Sequence, residues 1–322
     1  MKPKNVRKLL MREIEKVSGS VEEFCLNPGR GFTRNRKIPV DKLMLSIIGM
    51  ESGNLTNELL DCYDVSPDTP TASAFVQQRL KLKPEAFESV FHGFSRKINK
   101  TNPYETPIFA VDGSDIPISA DPKDDASFFP GTNGQKPYGL LHMNALYDLN
   151  HRTYVDAILQ KRRDFDEHAA LVSMVDRSPV EKAIVTNLNR NEFPPSELKK
   201  MYSYRWGIET SFRDLKYTVG LLDFHSKKVA CIQQEIYARL IMYYFAEMIT
   251  SQVSIRKKQR KHVYKANFSV AVHMCRLYYR GKVTLPVLET IIAKNLVPIR
   301  PNRHRERNLS SSGFHSFLYR VA

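Results

Sequence analysis

Apolar residues recur at three- and four-residue intervals through the opening stretch of the chain, and this pattern predicts helices over residues 6–17, 40–50, 54–60, 72–80 and 84–98, separated by Gly and Pro turns. The period then changes. Residues 107–111 form a short apolar run ending in Asp112-Gly113-Ser114-Asp115, which predicts a buried strand delivering a carboxylate at its end. Segments 139–149 and 152–160 flank Asn150-His151 and predict a β-hairpin. A helix at 166–175, an apolar strand at 181–185 and a helix entered at Tyr202 come next. Beyond Gly220 the pattern is helical again, over 229–249, 266–279 and 285–293. Tyr237, Tyr243, Tyr244 and Phe245 in the longest of these suit a core better than a base-stacking platform. The chain therefore reads as an α+β or α/β protein in three parts: a helical region 1–102, a mixed core 103–228 and a helical region 229–322.

The helix entered at Tyr202 carries the most specific pattern. Tyr202, Arg205, Glu209 and Lys216 lie at offsets that a helix of about 100° per residue gathers within a sector of roughly 60°. Ile208, Phe212, Leu215 and Val219 make a neighbouring apolar stripe. A phenol, a guanidinium, a carboxylate and an ammonium thus share one edge of an amphipathic helix packed on a core. Arg205 and Glu209 alone could form an ordinary ion pair four residues apart; four such groups at fixed offsets ask for a site. In the N-terminal region, residues 66–73 form a turn and cap, and helix 72–80 offers Ser73, Gln77, Gln78 and Arg79 on its polar side. It is either the reader of a helix-turn-helix or part of a supporting helical pack.

Charge sharpens the expectation of a polyanionic partner. Residues 1–200 carry 28 Lys and Arg against 27 Asp and Glu, whereas residues 201–322 carry 21 against 7, so nearly all of the net +15 lies in the last third. Runs such as Arg256-Lys257-Lys258-Gln259-Arg260-Lys261 and the arginines between Arg300 and Arg307 suit phosphate contacts. Cys25, Cys62, Cys231 and Cys275 have no C-x-x-C spacing, which argues against a cysteine zinc site or disulfide framework and for a reducing cytoplasm. No signal peptide or membrane span is expected, since Arg239 and Glu247 interrupt the most apolar helix.

The spacing Tyr202-x2-Arg205-x3-Glu209-x6-Lys216 resembles the signature of the DDE transposases of the insertion sequence 4 family. The resemblance implies a ribonuclease H-like catalytic core between helical regions, with Asp112 and Glu209 as catalytic, metal-holding carboxylates. It also implies two Mg²⁺ (or Mn²⁺) ions, and contacts to DNA from Tyr202, Arg205 and Lys216. Lys227 and Lys228, just after the signature helix, join that DNA-contacting set. The implied partner is double-stranded DNA, at element ends and target, with a homodimer on DNA as one arrangement, in a bacterial cytoplasm near the nucleoid. The implied activity is metal-dependent strand cleavage and transfer.

One expected part is missing. In the family a second Asp follows the strand after the hairpin and helix; here residues 181–185 lead into Thr186-Asn187-Leu188-Asn189, and no Asp occurs again until Asp214. The chain therefore resembles an internally shortened transposase with an incomplete triad. Asn187 and Asn189 offer only neutral oxygens, and Asp176, near the end of a helix, reads as structural; Asp115 stands beside it as the other carboxylate that could complete the set. Two further readings stay open: a non-catalytic DNA-binding remnant, and a distinct ribonuclease H-like nuclease with a rearranged site.

Overall fold

The computed structural model describes residues 2–33, 37–99, 108–131, 134, 136–177, 204, 206–255, 262–299 and 318–319. Six helices lead: α1 (Pro3–Gly19), α2 (Val21–Phe24), α3 (Val40–Gly49), α4 (Leu55–Cys62), α5 (Ala72–Arg79) and α6 (Glu85–Asn99). Their starts obey local chemistry. Pro3 opens α1 where a missing N–H costs nothing, and Asn54 and Thr71 cap α4 and α5 by accepting from the amides of Asn57 and Ala74 at 2.9 and 3.3 Å.

The next four strands, β1 (Phe109–Ile118), β2 (Phe128–Phe129), β3 (Tyr138–Asp148) and β4 (Thr153–Lys161), form one antiparallel sheet centred on β3. The expected hairpin is β3–β4. Its turn is fixed by Asp148, whose carboxylate accepts from the amides of Asn150 and His151 at 2.8 and 3.0 Å. Helix α7 (Glu167–Arg177) crosses one face of the sheet. Helix α8 (Trp206–Arg213) continues into a π-helical turn at Asp214–Thr218, succeeded by β5 (Asp223–Phe224) and α9 (Val229–Thr250). The remainder comprises β6 (Val263–Ala266), α10 (Phe268–Tyr279), α11 (Leu285–Lys294), β7 (Leu296–Ile299) and β8 (Leu318–Tyr319). β6 pairs with β7 antiparallel, and β5 with β8 in parallel. The strand expected at 181–185, the segment 186–191 and the two basic runs lie outside the described residues.

Helix α9 is the axis of the molecule. It is apolar almost all round, as a helix surrounded by neighbours must be, and it packs against α1, α3, α6, α10 and β4. Tyr237, Tyr243, Tyr244 and Phe245 are all buried, so the aromatics are core residues as expected. One continuous apolar cluster joins Leu10 of α1, Phe91 of α6, Tyr147 of β3, Phe212 of α8, Ile241 of α9 and Cys275 of α10. No helix among the described residues is long and apolar enough to cross a membrane.

The polar side expected for α5 needs correction. Gln78 and Arg79 are buried. Gln78 donates to Ile38 O at 3.3 Å, while Arg79 pairs with Glu235 and Gln234 of α9 at 2.7 Å each and donates to Cys231 O. A guanidinium that far inside requires ionic and carbonyl partners, and α9 supplies them. Half of the polar set read for a DNA-facing helix is thereby turned inward, which fits the supporting-pack alternative.

Candidate active site

Strand β1 alternates, and Ala110, Asp112, Ser114, Ile116 and Ile118 share one face. Ala110, Ile116 and Ile118 belong to the main core together with Met143, Ala145 and Tyr147 of β3, so Asp112 rises from the core-facing side of the sheet opposite Ala145. Asp112 is not at a strand end, as the Asp-Gly-Ser sequence suggests. β1 runs six residues past it to Ile118, because Gly113, Ser114 and Asp115 all find register partners on β3. The carboxylate of Asp112 accepts the Gly113 amide at 3.0 Å.

Helix α8 packs against the same strand. Ile208, Phe212, Leu215 and Val219 are all buried, so the predicted apolar stripe is the one the fold uses. Ser211 locks the helix to the sheet through Tyr154, hydroxyl to hydroxyl at 2.8 Å. Glu209, in the first turn, is only partly buried. Tyr202 and Arg205 lie outside the described residues.

Lys216 lies in a change of helix type. The α-helix stops at Arg213 and the chain widens into the π turn, closed by the Val219 amide on Asp214 O at 2.9 Å. A π turn of this kind is often found at functional sites. From this turn Lys216 reaches β1 and donates to Asp115 O at 3.0 Å. Burial lowers its pKa, against the pull of the Asp115 charge. Gly220, at φ +83, ends the segment in the left-handed region that favours glycine, and the Leu221 amide returns to Leu215 O at 3.0 Å.

The opposite face of the sheet carries a second polar group that sequence reading does not assemble. Asp115 lies across from His142, with Oδ1 2.6 Å from Nδ1, and Arg162 Nε approaches the same oxygen at 2.9 Å. His142 lies directly over Gly113, where a β-carbon would collide with Nε2 and come within 2.8 Å of Cε1. Glycine is required there by space. Gly113→Ala should lower stability by about 1–3 kcal/mol through this overpacking, measured as a shift of the urea midpoint; an unchanged midpoint would mean that His142 moves aside freely. The only sequence signal for this cluster is the Asp at the second position after Gly113.

Two further expectations meet the structure here. In Phe224-His225-Ser226-Lys227-Lys228 only the lysines are exposed. His225 is buried against Glu235 at 3.1 Å and Gly53 O at 3.1 Å. Asp176 lies exposed near the end of α7. Among the described residues, no three His, Cys, Asp or Glu side chains cluster so as to hold a metal ion.

Residues 158–245, from the end of β4 through most of α9, match the family described as Transposase DDE domain. The Transposase InsG for insertion sequence element IS4 of Escherichia coli is 30% identical over 77 residues, 23% of this chain and 17% of that protein. The chain thus aligns with well under two thirds of that relative's length. No solved structure matches. The matched span holds Glu209 and Lys216, on the helix that packs against the strand bearing Asp112, and over that span the chain is similar to the Transposase DDE domain family and to a transposase of insertion sequence element IS4.

Proposed function

We propose that this chain is an insertion-sequence transposase with a ribonuclease H-like core, binding element-end DNA and built for metal-dependent strand cleavage and transfer. The observation that carries the reading is the packing of the Glu209 helix on the strand whose core-facing side presents Asp112. The three-stranded antiparallel β1–β3–β4 order leading into α7 agrees with it. In this reading 1–102 is the helical N-terminal region, 103–228 the catalytic core without its usual insertion, and 229–322 the basic C-terminal region.

Carboxylates are the hard oxygen donors that Mg²⁺ or Mn²⁺ takes. Asp112 and Glu209 would hold the ions, which when bound supply Lewis acidity to the attacking and leaving oxygens of a phosphodiester. The donor type fits, but two carboxylates fall short of the three that a two-ion site needs, so this copy is impaired by the missing second Asp. Lys216 uses one of its three N–H donors on Asp115 O, and the ammonium so anchored would meet a phosphate as a point charge. Arg205 would meet it as a fork, and Tyr202 by a hydroxyl hydrogen bond. The second reading is a non-catalytic DNA-binding remnant acting on element ends or in mixed oligomers. It is favoured by the run from Thr186 to Arg213, which holds no Asp where the family places one.

Nicking of element-end DNA with Mg²⁺ and Mn²⁺ separates the two. The chain should cut near background, Glu209→Ala should lower this no further, and restoring a segment with the second Asp should recover cleavage. Strong cleavage by the chain as it stands, abolished by Glu209→Ala, would end the claim of impairment; no recovery in the restored form would end the catalytic reading.

DNA affinity should fall with salt at a slope of about −0.9 per phosphate neutralised. Deleting the basic last third is not a usable test, because Ala271, Val272 and Cys275 of α10 and Leu288 and Ile292 of α11 are core residues. Lys227→Gln and Lys228→Gln alter exposed side chains instead. Each should flatten the slope of log Kd against log salt by about one; slopes equal to the unaltered chain would remove these lysines from the DNA surface.

A further inference from the structure

His142 is 5% exposed, and its Nε2 has no hydrogen-bond partner. The other ring nitrogen is occupied by Asp115 at 2.6 Å. Arg162 Nε lies 2.9 Å from the same Asp115 oxygen. With Nδ1 engaged, Nε2 is the ring position still open. Nε2 lies 3.4 Å from Glu167 Oε1.

A buried ring nitrogen without a hydrogen bond, set beside a carboxylate oxygen, leaves a place for a positive ion between the two. Arg162 is not that group: its Nε is engaged with Asp115, and its guanidinium stacks 3.9 Å over the ring of Phe165, which in turn covers His142 at 4.7 Å. The separation of Nε2 and Oε1 is what two adjacent ligands span on one divalent ion, given bonds of about 2.0–2.2 Å from imidazole nitrogen and carboxylate oxygen. A carboxylate on the far nitrogen is also the arrangement that fixes the tautomer and aim of a metal-bound imidazole.

We propose that His142 and Glu167 bind a divalent cation of the kind that takes mixed imidazole and carboxylate ligands, Zn²⁺ foremost, with water completing the shell and Asp115 as the positioning residue. The site lies on the face of the sheet opposite to Asp112, so it is separate from the proposed catalytic pair and independent of it. Glu167 is 59% exposed, which gives the ion access from solvent.

Zinc binding by the full chain carrying Asp112→Asn and Glu209→Gln tests this with the other carboxylates silenced. Titration calorimetry should still show Zn²⁺ binding. Adding Glu167→Gln, an exposed and structurally mild change, or His142→Gln should weaken it at least about tenfold, and Asp115→Asn by about 10- to 100-fold with both ligands in place. Co²⁺ in the same protein should show visible absorption bands that Glu167→Gln alters. Zinc affinity unchanged by Glu167→Gln and His142→Gln, or lost in the Asp112→Asn, Glu209→Gln background alone, overturns the proposal.

Discussion

Arg79→Met should destabilise the protein by about 3–5 kcal/mol, the cost of stranding one member of a buried ion pair. Arg79 and Glu235 are each 1% exposed and 2.7 Å apart. Burial alone would raise the Glu235 pKa, yet Arg79, then His225 and Arg239, bring it down to about 2. Removing Arg79 takes away the largest of these opposing influences and leaves Gln234 Oε1 and Cys231 O without their donor. Urea unfolding at neutral pH gives the measurement, and a loss below about 1 kcal/mol would show that Glu235 is neutralised or hydrated in the variant. The double replacement Arg79→Met, Glu235→Leu should recover part of the loss, since apolar residues can replace a buried pair with little penalty. Because the folded Glu235 pKa is depressed, its contribution is present above the unfolded value of 4.5 and is lost as pH falls towards about 2.

That pair also marks where sequence reading stops. Arg79 and Glu235 are 156 residues apart, and no local pattern connects them. The periodicity of α5 shows that Arg79 is polar but not that α9 lies above it to receive the charge. The stripe Ile208, Phe212, Leu215, Val219 is legible because one helix and one core face suffice to define it. The β3–β4 hairpin is legible because Asp148 and the turn it caps sit within a few residues of each other.

Asp112 shows the intermediate case. An Asp-Gly-Ser sequence after an apolar run has the composition of a turn. Its continuation as strand goes with His142 lying close over Gly113 and with Asp115 being met by His142 and Arg162, all supplied from β3 and beyond. The alternation nevertheless holds from Asp112 to Ile118, and it keeps Asp112 on the side towards α8. The π turn at Asp214–Thr218 has no local signature, and neither has the bond from Lys216 to Asp115 O on β1. Chemistry-bearing residues are thus recognisable by type and spacing, while the partners that fix their orientation come from elements far away in the chain.

Stability should fall by about 3 kcal/mol between pH 4.5 and 7 because of one residue, Glu247. Its carboxyl is buried in α9, and burial raises its pKa from 4.5 to about 7, opposed first by Arg152. Arg152 Nη2 stands 3.4 Å from Oε1, but that oxygen makes no hydrogen bond. The groups facing it are Arg152, Asp214 and Lys265, with the paired hydroxyls of Tyr147 and Tyr243 and the Cys275 thiol close enough to feel its charge. Between the two pKa values the folded state keeps a proton that the unfolded chain has released, so stability drops by about 1.4 kcal/mol per pH unit across that window. The sign is opposite to that of Glu235, and the windows do not overlap: one loss occurs on acidification below 4.5, the other on alkalinisation above it. Glu247→Gln places a neutral isostere at the same position and should remove this slope, so that the variant is less sensitive than the unaltered chain between pH 5 and 7.5. Comparing urea unfolding of the two proteins across that range cancels the histidines, which titrate in both. Parallel profiles would show that Glu247 is ionised throughout, its charge met by Arg152 at the distance the fold already provides.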